Sequence, residues 1–232
     1  MTTLADPFDV ARALTAPGIL REFNDAGVLS AADVHVARRL ADLGGEEDES
    51  VWLAAALAVR GPRLGHVYVD LAAIQATATV DADELVDVAA LPWPVPGSWP
   101  QAVAASGLVA LGEEDDRRDN RPLRLVGTAL YLDRYWREER QLAADLRALS
   151  DDPPQSVRLD PLAEGLERLF AGATDEHQRL AAAAAVLSRF AVVAGGPGTG
   201  KTTTVARIVA LLAEQAAAAG SAERPETLAA PT

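Results

Sequence analysis

Apolar positions recur at helical spacing through the first 150 residues, in runs interrupted by Gly, Pro and short acidic clusters. The pattern predicts helices over 6–23 and 30–43, the second opened by Ser30 with Asp33 at capping-box distance. Residues 50–60, with Ser50 as N-cap, are nearly all apolar and predict a buried helix. Val67-Tyr68-Val69 reads as a brief extended piece before a helix at about 71–78, with further short helices over 81–89 and 98–106. Leu108–Leu111, Leu123–Val126 and Ala129–Leu132 read as three strands of a small β-meander, the last two joined through Gly127-Thr128. A charged helix from Asp133 to Leu149 closes this half. Two segments break the helical pattern. Leu91 to Gly97 holds three prolines that donate no amide, and Asp151-Asp152-Pro153-Pro154 marks a domain boundary near 150–160. Beyond it, Phe190-Ala191-Val192-Val193-Ala194 reads as a short buried strand and Thr203–Ala219 as an Ala- and Leu-rich helix. The fold class expected is α/β overall: a mainly helical amino-terminal domain with a small β-meander, then the start of an incomplete parallel-sheet domain.

Composition narrows this picture. The 232 residues, 49% of them apolar, suffice for one large or two small domains. The absence of cysteine excludes a disulfide framework and any Cys-type zinc or redox site. No apolar run reaches the roughly 18–20 residues of a membrane span. The opening MTTLADPFDV has neither a basic nor an apolar leader region, so an intracellular, cytoplasmic protein is expected. The 34 acidic and 21 basic side chains give a formal charge of −13, unevenly spread. Residues 1–160 hold 27 acids and 15 bases, whereas 161–232 hold 7 and 6. Short helices ahead of a β-meander would suit a winged-helix DNA reader. So acidic a half repels phosphate backbones, however, and a protein-contact or packing role is the better reading. Trp52 is expected in the core, while Trp93 and Trp99, beside the Pro-rich loop, are candidate interface residues.

One motif carries chemistry. Gly195-Gly196-Pro197-Gly198-Thr199-Gly200-Lys201-Thr202 fits G-x-x-x-x-G-K-[ST] in full, between a predicted strand and a predicted helix. Glycines allow successive amides to turn toward one phosphate, and the helix that follows adds its positive end. Lys201 suits the β- and γ-phosphates of ATP, and the Thr202 hydroxyl suits Mg²⁺. Twenty of the 21 basic residues are arginine, and the single lysine is Lys201. A compact ammonium thus stands only where a phosphate cradle favours it over a planar fork. Upstream, Thr174 or Asp175 caps a helix that carries His177 and Gln178. Gln178 lies 23 residues before Lys201, and its amide offers the donor and acceptor that the Hoogsteen edge of adenine requires. His177 reads as an exposed helix residue.

At these residues the chain resembles superfamily 1 helicases, whose Q motif precedes the phosphate loop. GGPGTGKTTTV at 195–205 and TLAAPT at 227–232 resemble motifs I and Ia of the RecD family, the alpha subunit of exodeoxyribonuclease V. Residues 63–71 and 130–136 are similar to stretches of the RecD amino-terminal region. The resemblance implies an ATP-driven 5′→3′ DNA motor acting beside RecB and RecC on double-strand breaks, in the bacterial cytoplasm at the nucleoid. It implies a 1–150 interaction domain that docks a RecC-like subunit, and 151–232 as the start of a RecA-like motor domain. Gln178 would hold adenine and Gly198 to Thr203 the phosphates, within an ATP-binding loop that begins at Gly195, Gly196 and Pro197. Thr202 would hold Mg²⁺, and Ala230-Pro231-Thr232 would begin the DNA contact. The Asp-Glu pair, arginine finger and second motor domain of such helicases have no counterpart in these residues. The chain therefore reads as the front of a longer enzyme that does not translocate alone. Two other readings remain open: a different P-loop repair ATPase, or a non-catalytic partner-docking module.

Overall fold

Ser30 begins helix α2 (Ala31–Gly44) as a reciprocal cap. Its hydroxyl accepts from the Asp33 amide at 3.3 Å, and its own amide donates to the Asp33 carboxylate at 2.8 Å. Gly45, at φ 65°, ends the helix in the left-handed region. The computed structural model describes residues 12–80, 86–114, 120–171 and 176–220. They fall into two packed units, 1–140 and 141–232.

In the first unit, helix α3 (Glu49–Arg63) is the centre. Its cap is Asp48, which accepts from the Ser50 amide at 2.8 Å, so Ser50 stands inside the first turn and is not the N-cap. Apolar residues surround this helix, and Val51 and Leu53 through Ala58 are all buried. Helix α1 (Gly18–Asp25) and α2 pack on it, and Arg63 in its last turn donates to Asp33 at 2.9 Å. The helix expected over 6–23 is described only from residue 12 and starts at Gly18, after Pro17 in extended conformation. The 71–78 expectation contracts to α4 (Ile74–Thr77). Of the 81–89 segment, residues 81–85 lie outside the described residues and Val88–Ala90 forms one tight 3₁₀ turn. Helix α5 (Trp99–Ala105) packs on α3.

Four strands, β1 (Tyr68–Asp70), β2 (Val109–Leu111), β3 (Leu123–Val126) and β4 (Ala129–Leu132), form one sheet in the order β1-β4-β3-β2. The β3–β4 hairpin turns through Gly127 at φ +62°, where a side chain would be strained. The sheet is mixed, not a pure meander. β2 pairs parallel to β3, and β1 joins antiparallel to β4 with Tyr68 opposite Tyr131. Leu123, Leu125, Leu130 and Val69 face the α3 core. On the other face Arg124, only 1% exposed, donates from Nε to Asp133 at 2.7 Å and from Nη1 to the Gly112 and Glu114 carbonyls at 3.0 and 2.8 Å. Its guanidinium stacks on Trp136 at 4.1 Å. Asp133 opens helix α6 (Asp133–Asp151), so one buried ion pair fixes the helix to the sheet.

The tryptophans correct one expectation. Trp99 is 2% exposed, and its indole donates to the Ser50 carbonyl at 2.9 Å, which makes it core and not interface. Half-buried Trp93 meets Phe23 edge-on at 4.6 Å, satisfying its N–H on Val88 at 2.7 Å. Trp52 is also half-buried, beneath Arg38 at 4.1 Å. The Pro-rich loop is folded back on the core because a large apolar ring costs less inside than in water.

The second unit packs α7 (Leu159–Leu169), α8 (Glu176–Leu187) and α9 (Lys201–Ala218) around Leu162, Phe170, Ala182, Val186, Ile208 and Leu211. Gly165 permits the close approach of α7 to α9, since a Cβ there would lie 2.6 Å from Leu211 Cδ2. Buried Gln215 of α9 accepts from the Arg158 amide at 2.7 Å and donates to the Arg158 carbonyl at 3.1 Å. It satisfies that backbone as a neighbouring strand would. The buried strand expected at 190–194 is not formed: the segment makes no ladder, and Val192 is 74% exposed. A strand exists through its pairing, and the sheet among the described residues lies wholly in the first unit.

Candidate nucleotide-binding site

Gly198 and Gly200 adopt φ +76° and +80°, and α9 starts at the next residue, Lys201. Any other residue at these positions would be strained, so the loop depends on the glycines the motif supplies. At Gly195 a Cβ would lie 2.6 Å from Thr199 Oγ1, so a side chain there would displace that hydroxyl. The Thr199 hydroxyl donates to the Gly196 carbonyl at 2.9 Å, closing the loop on itself. Lys201 Nζ donates to the Gly195 and Gly196 carbonyls at 2.7 and 2.6 Å. The ammonium is thereby held against the loop.

Thr202 and Thr203 stand exposed in the first turn of α9, whereas Thr204 is buried and donates to the Gly200 carbonyl at 3.1 Å. No side chain caps this helix at Gly200, so its first amides and its positive end are left without a side-chain acceptor next to the loop. Helix α8 brings Gln178 to the same place. Its Nε2 donates to the Thr199 carbonyl at 3.1 Å, and a Cβ on Gly200 would lie 2.9 Å from that nitrogen. The structure therefore gathers Gln178, Gly195, Gly196, Pro197, Gly198, Thr199, Gly200, Lys201, Thr202 and Thr203 into one site. Ala230, Pro231 and Thr232 lie outside the described residues. His177 is exposed on α8 at a recess shared with Leu166, Leu180 and Ala183.

Sequence reasoning found the loop but missed the bond from Gln178 to Thr199. The only available signal was the demand for a glycine at 200, which states that something approaches closely without saying what. It also missed Thr204, whose β-branched hydroxyl returns to the carbonyl four residues back and anchors the start of α9. Chemically, the site combines a glycine-rich loop, a helix N-terminus without a side-chain cap and one ammonium. Such groups are of the chemical kind that receives phosphate oxygens.

Two family models match separate parts of the chain. The family model described as RecBCD enzyme subunit RecD, N-terminal domain, matches residues 25–131, and one described as AAA domain matches 178–232. The RecBCD enzyme subunit RecD of Mycobacterium tuberculosis (strain ATCC 25618 / H37Rv) is 49% identical over 229 residues, 97% of this chain and 35% of the relative. The chain belongs to the RecD family. The RecD subunit of Mycolicibacterium smegmatis is 49% identical over 207 residues, 89% of this chain and 33% of that protein. The Haemophilus influenzae subunit is 33% identical over 96 residues, 40% of this chain and 15% of its own length. The chain thus spans about a third of the length of its nearly full-coverage RecD relatives. Among the described residues no helix is long and apolar enough to cross a membrane.

Proposed function

We propose that the protein containing this chain is the ATP-dependent 5′→3′ DNA helicase subunit of a RecBCD-type complex. It acts on double-stranded DNA ends and their single strands in break repair and recombination, in the cytoplasm. Residues 1–150 form the part that docks RecB- and RecC-like subunits, and 151–232 begin the motor domain. The observation that carries the reading is the phosphate loop, with positive-φ Gly198 and Gly200 placing Lys201 at the uncapped start of α9. Membership of the RecD family supports the rest.

The residues present fit a Mg²⁺–nucleotide. Gly195 leaves no room for a side chain beside Thr199, which keeps the cradle backbone-lined, and Thr202 is exposed beside Lys201. In the bound state Lys201 would exchange the Gly195 and Gly196 carbonyls for phosphate oxygens, which answer its charge far better. The loop amides and the α9 N-terminus would hold the remaining phosphate oxygens. Thr202 would hold the metal, which when bound neutralises charge developing on the β- and γ-phosphates. Gln178 would present its amide to adenine while staying within reach of Thr199.

The test is strand separation by the full-length protein assembled with its partner subunits. Unwinding that needs ATP and starts from a 5′ single-stranded end is expected, with none in Lys201→Ala. ATP hydrolysis that is indifferent to DNA and unaccompanied by unwinding would assign the protein to another class of P-loop ATPase.

A further inference from the structure

The outer face of the sheet carries an aromatic pair that the motor chemistry does not use. Tyr68 of β1 and Tyr131 of β4 stand opposite each other in register, with ring centroids 5.3 Å apart and planes tilted by 41°. Val69 and Leu130, which alternate with them, point into the core, so the tyrosines are on the side away from it. Tyr68 is 47% exposed, and β1 is an edge strand.

Arg124, opposite Tyr131 in the register, is already paired with Asp133, and the other charges acting on the ring are mainly negative. Burial first, and then Glu139, Tyr68 and Glu113, hold the Tyr131 phenol above the usual tyrosine range. Arg140 alone opposes them, and it is engaged with Glu113 at 3.7 Å. Glu139 is exposed and makes no ion pair among the described residues. Elsewhere the chain covers its own rings with guanidinium groups. Arg38 lies over Trp52, Arg124 over Trp136, Arg134 over Tyr135 and Arg207 over Phe170. No such group lies over Tyr68 and Tyr131 among the described residues. Two ring faces of negative quadrupole, within the field of a carboxylate that makes no ion pair among the described residues, attract a cation and repel a phosphate.

We propose that the Tyr68–Tyr131 pair, with Glu139, is the seat for an arginine or lysine side chain presented by a partner protein. It is the point at which this acidic unit docks a subunit of the complex. The inference rests on the docking role proposed above and names its contact. The partner's cation stacks on the rings while its charge meets Glu139, and the 47% exposure of Tyr68 gives a neighbouring chain access to the pair.

The experiment measures the affinity of the full-length protein for its RecC-like and RecB-like partners, with thermal unfolding of each variant as a check of folding. The double variant Tyr68→Ala/Tyr131→Ala should bind roughly 5- to 30-fold more weakly, the range of a cation–π contact as it becomes desolvated. Tyr68→Phe/Tyr131→Phe keeps the rings and should bind as the parent does. Glu139→Gln, at an exposed position, should weaken binding and flatten its salt dependence. A complex indifferent to the Ala pair and to Glu139→Gln would overturn the seat and leave the docking role standing. No complex with the unsubstituted protein would overturn both. Loss of single-stranded DNA binding in the Ala pair, with subunit assembly unchanged, would assign the rings to base stacking and overturn the proposal.

Discussion

Gly200 shows how much of the site depends on a missing side chain. Its φ of +80° is the reason for glycine, and a Cβ there would also lie 2.9 Å from the Gln178 amide nitrogen and displace it. A left-handed alanine costs about 1–2 kcal/mol before the clash is counted. Gly200→Ala should therefore weaken ATP binding about tenfold or more, because the loop and Gln178 move apart. Fluorescent-nucleotide titration of the parent and variant full-length proteins measures this, and equal affinities would contradict it. This level was the most legible in the sequence, since glycines, a lysine and a hydroxyl at fixed spacing have few other uses. Trp99 was not legible. A tryptophan beside prolines looks the same whether the loop lies out in water or folds back, and only the Ser50 carbonyl that receives its N–H decides.

Among the elements, helices with strong caps were readable, and those that rely on tertiary packing were displaced. The Ser30–Asp33 box put α2 within a residue of its place, because the signal is local. The strand expected at 190–194 and the parallel pairing of β2 with β3 depend on neighbours distant in sequence, which a local pattern does not specify. The same holds for Arg124. Alternation in Leu123-Arg124-Leu125 places it opposite the core, but its burial comes from Trp136 and Asp133 on α6. Removing one partner from a buried, hydrogen-bonded ion pair costs about 3–5 kcal/mol, because the other charge is left without compensation. Arg124→Ala should destabilise the first unit by about that amount. Urea unfolding followed by tryptophan emission reads this unit alone, since Trp52, Trp93, Trp99 and Trp136 all lie within it. An unchanged midpoint would show that the pair does not tie β3 to α6.

For the molecule as a whole, charge and chemistry are divided. Residues 1–140 carry 23 acidic and 13 basic side chains, together with the four tryptophans and the only sheet among the described residues. Residues 141–232 carry the phosphate loop and the single lysine. The formal charge of −13 therefore describes mainly the unit proposed to meet other subunits and says little about the one proposed to meet nucleotide. Lys201 is the group through which the second unit is proposed to hold ATP. Titration calorimetry of Mg²⁺–ATP into the full-length protein tests this most directly. Saturable heat in the parent and none in Lys201→Ala is the expected result, and equal binding by the two would contradict the claim.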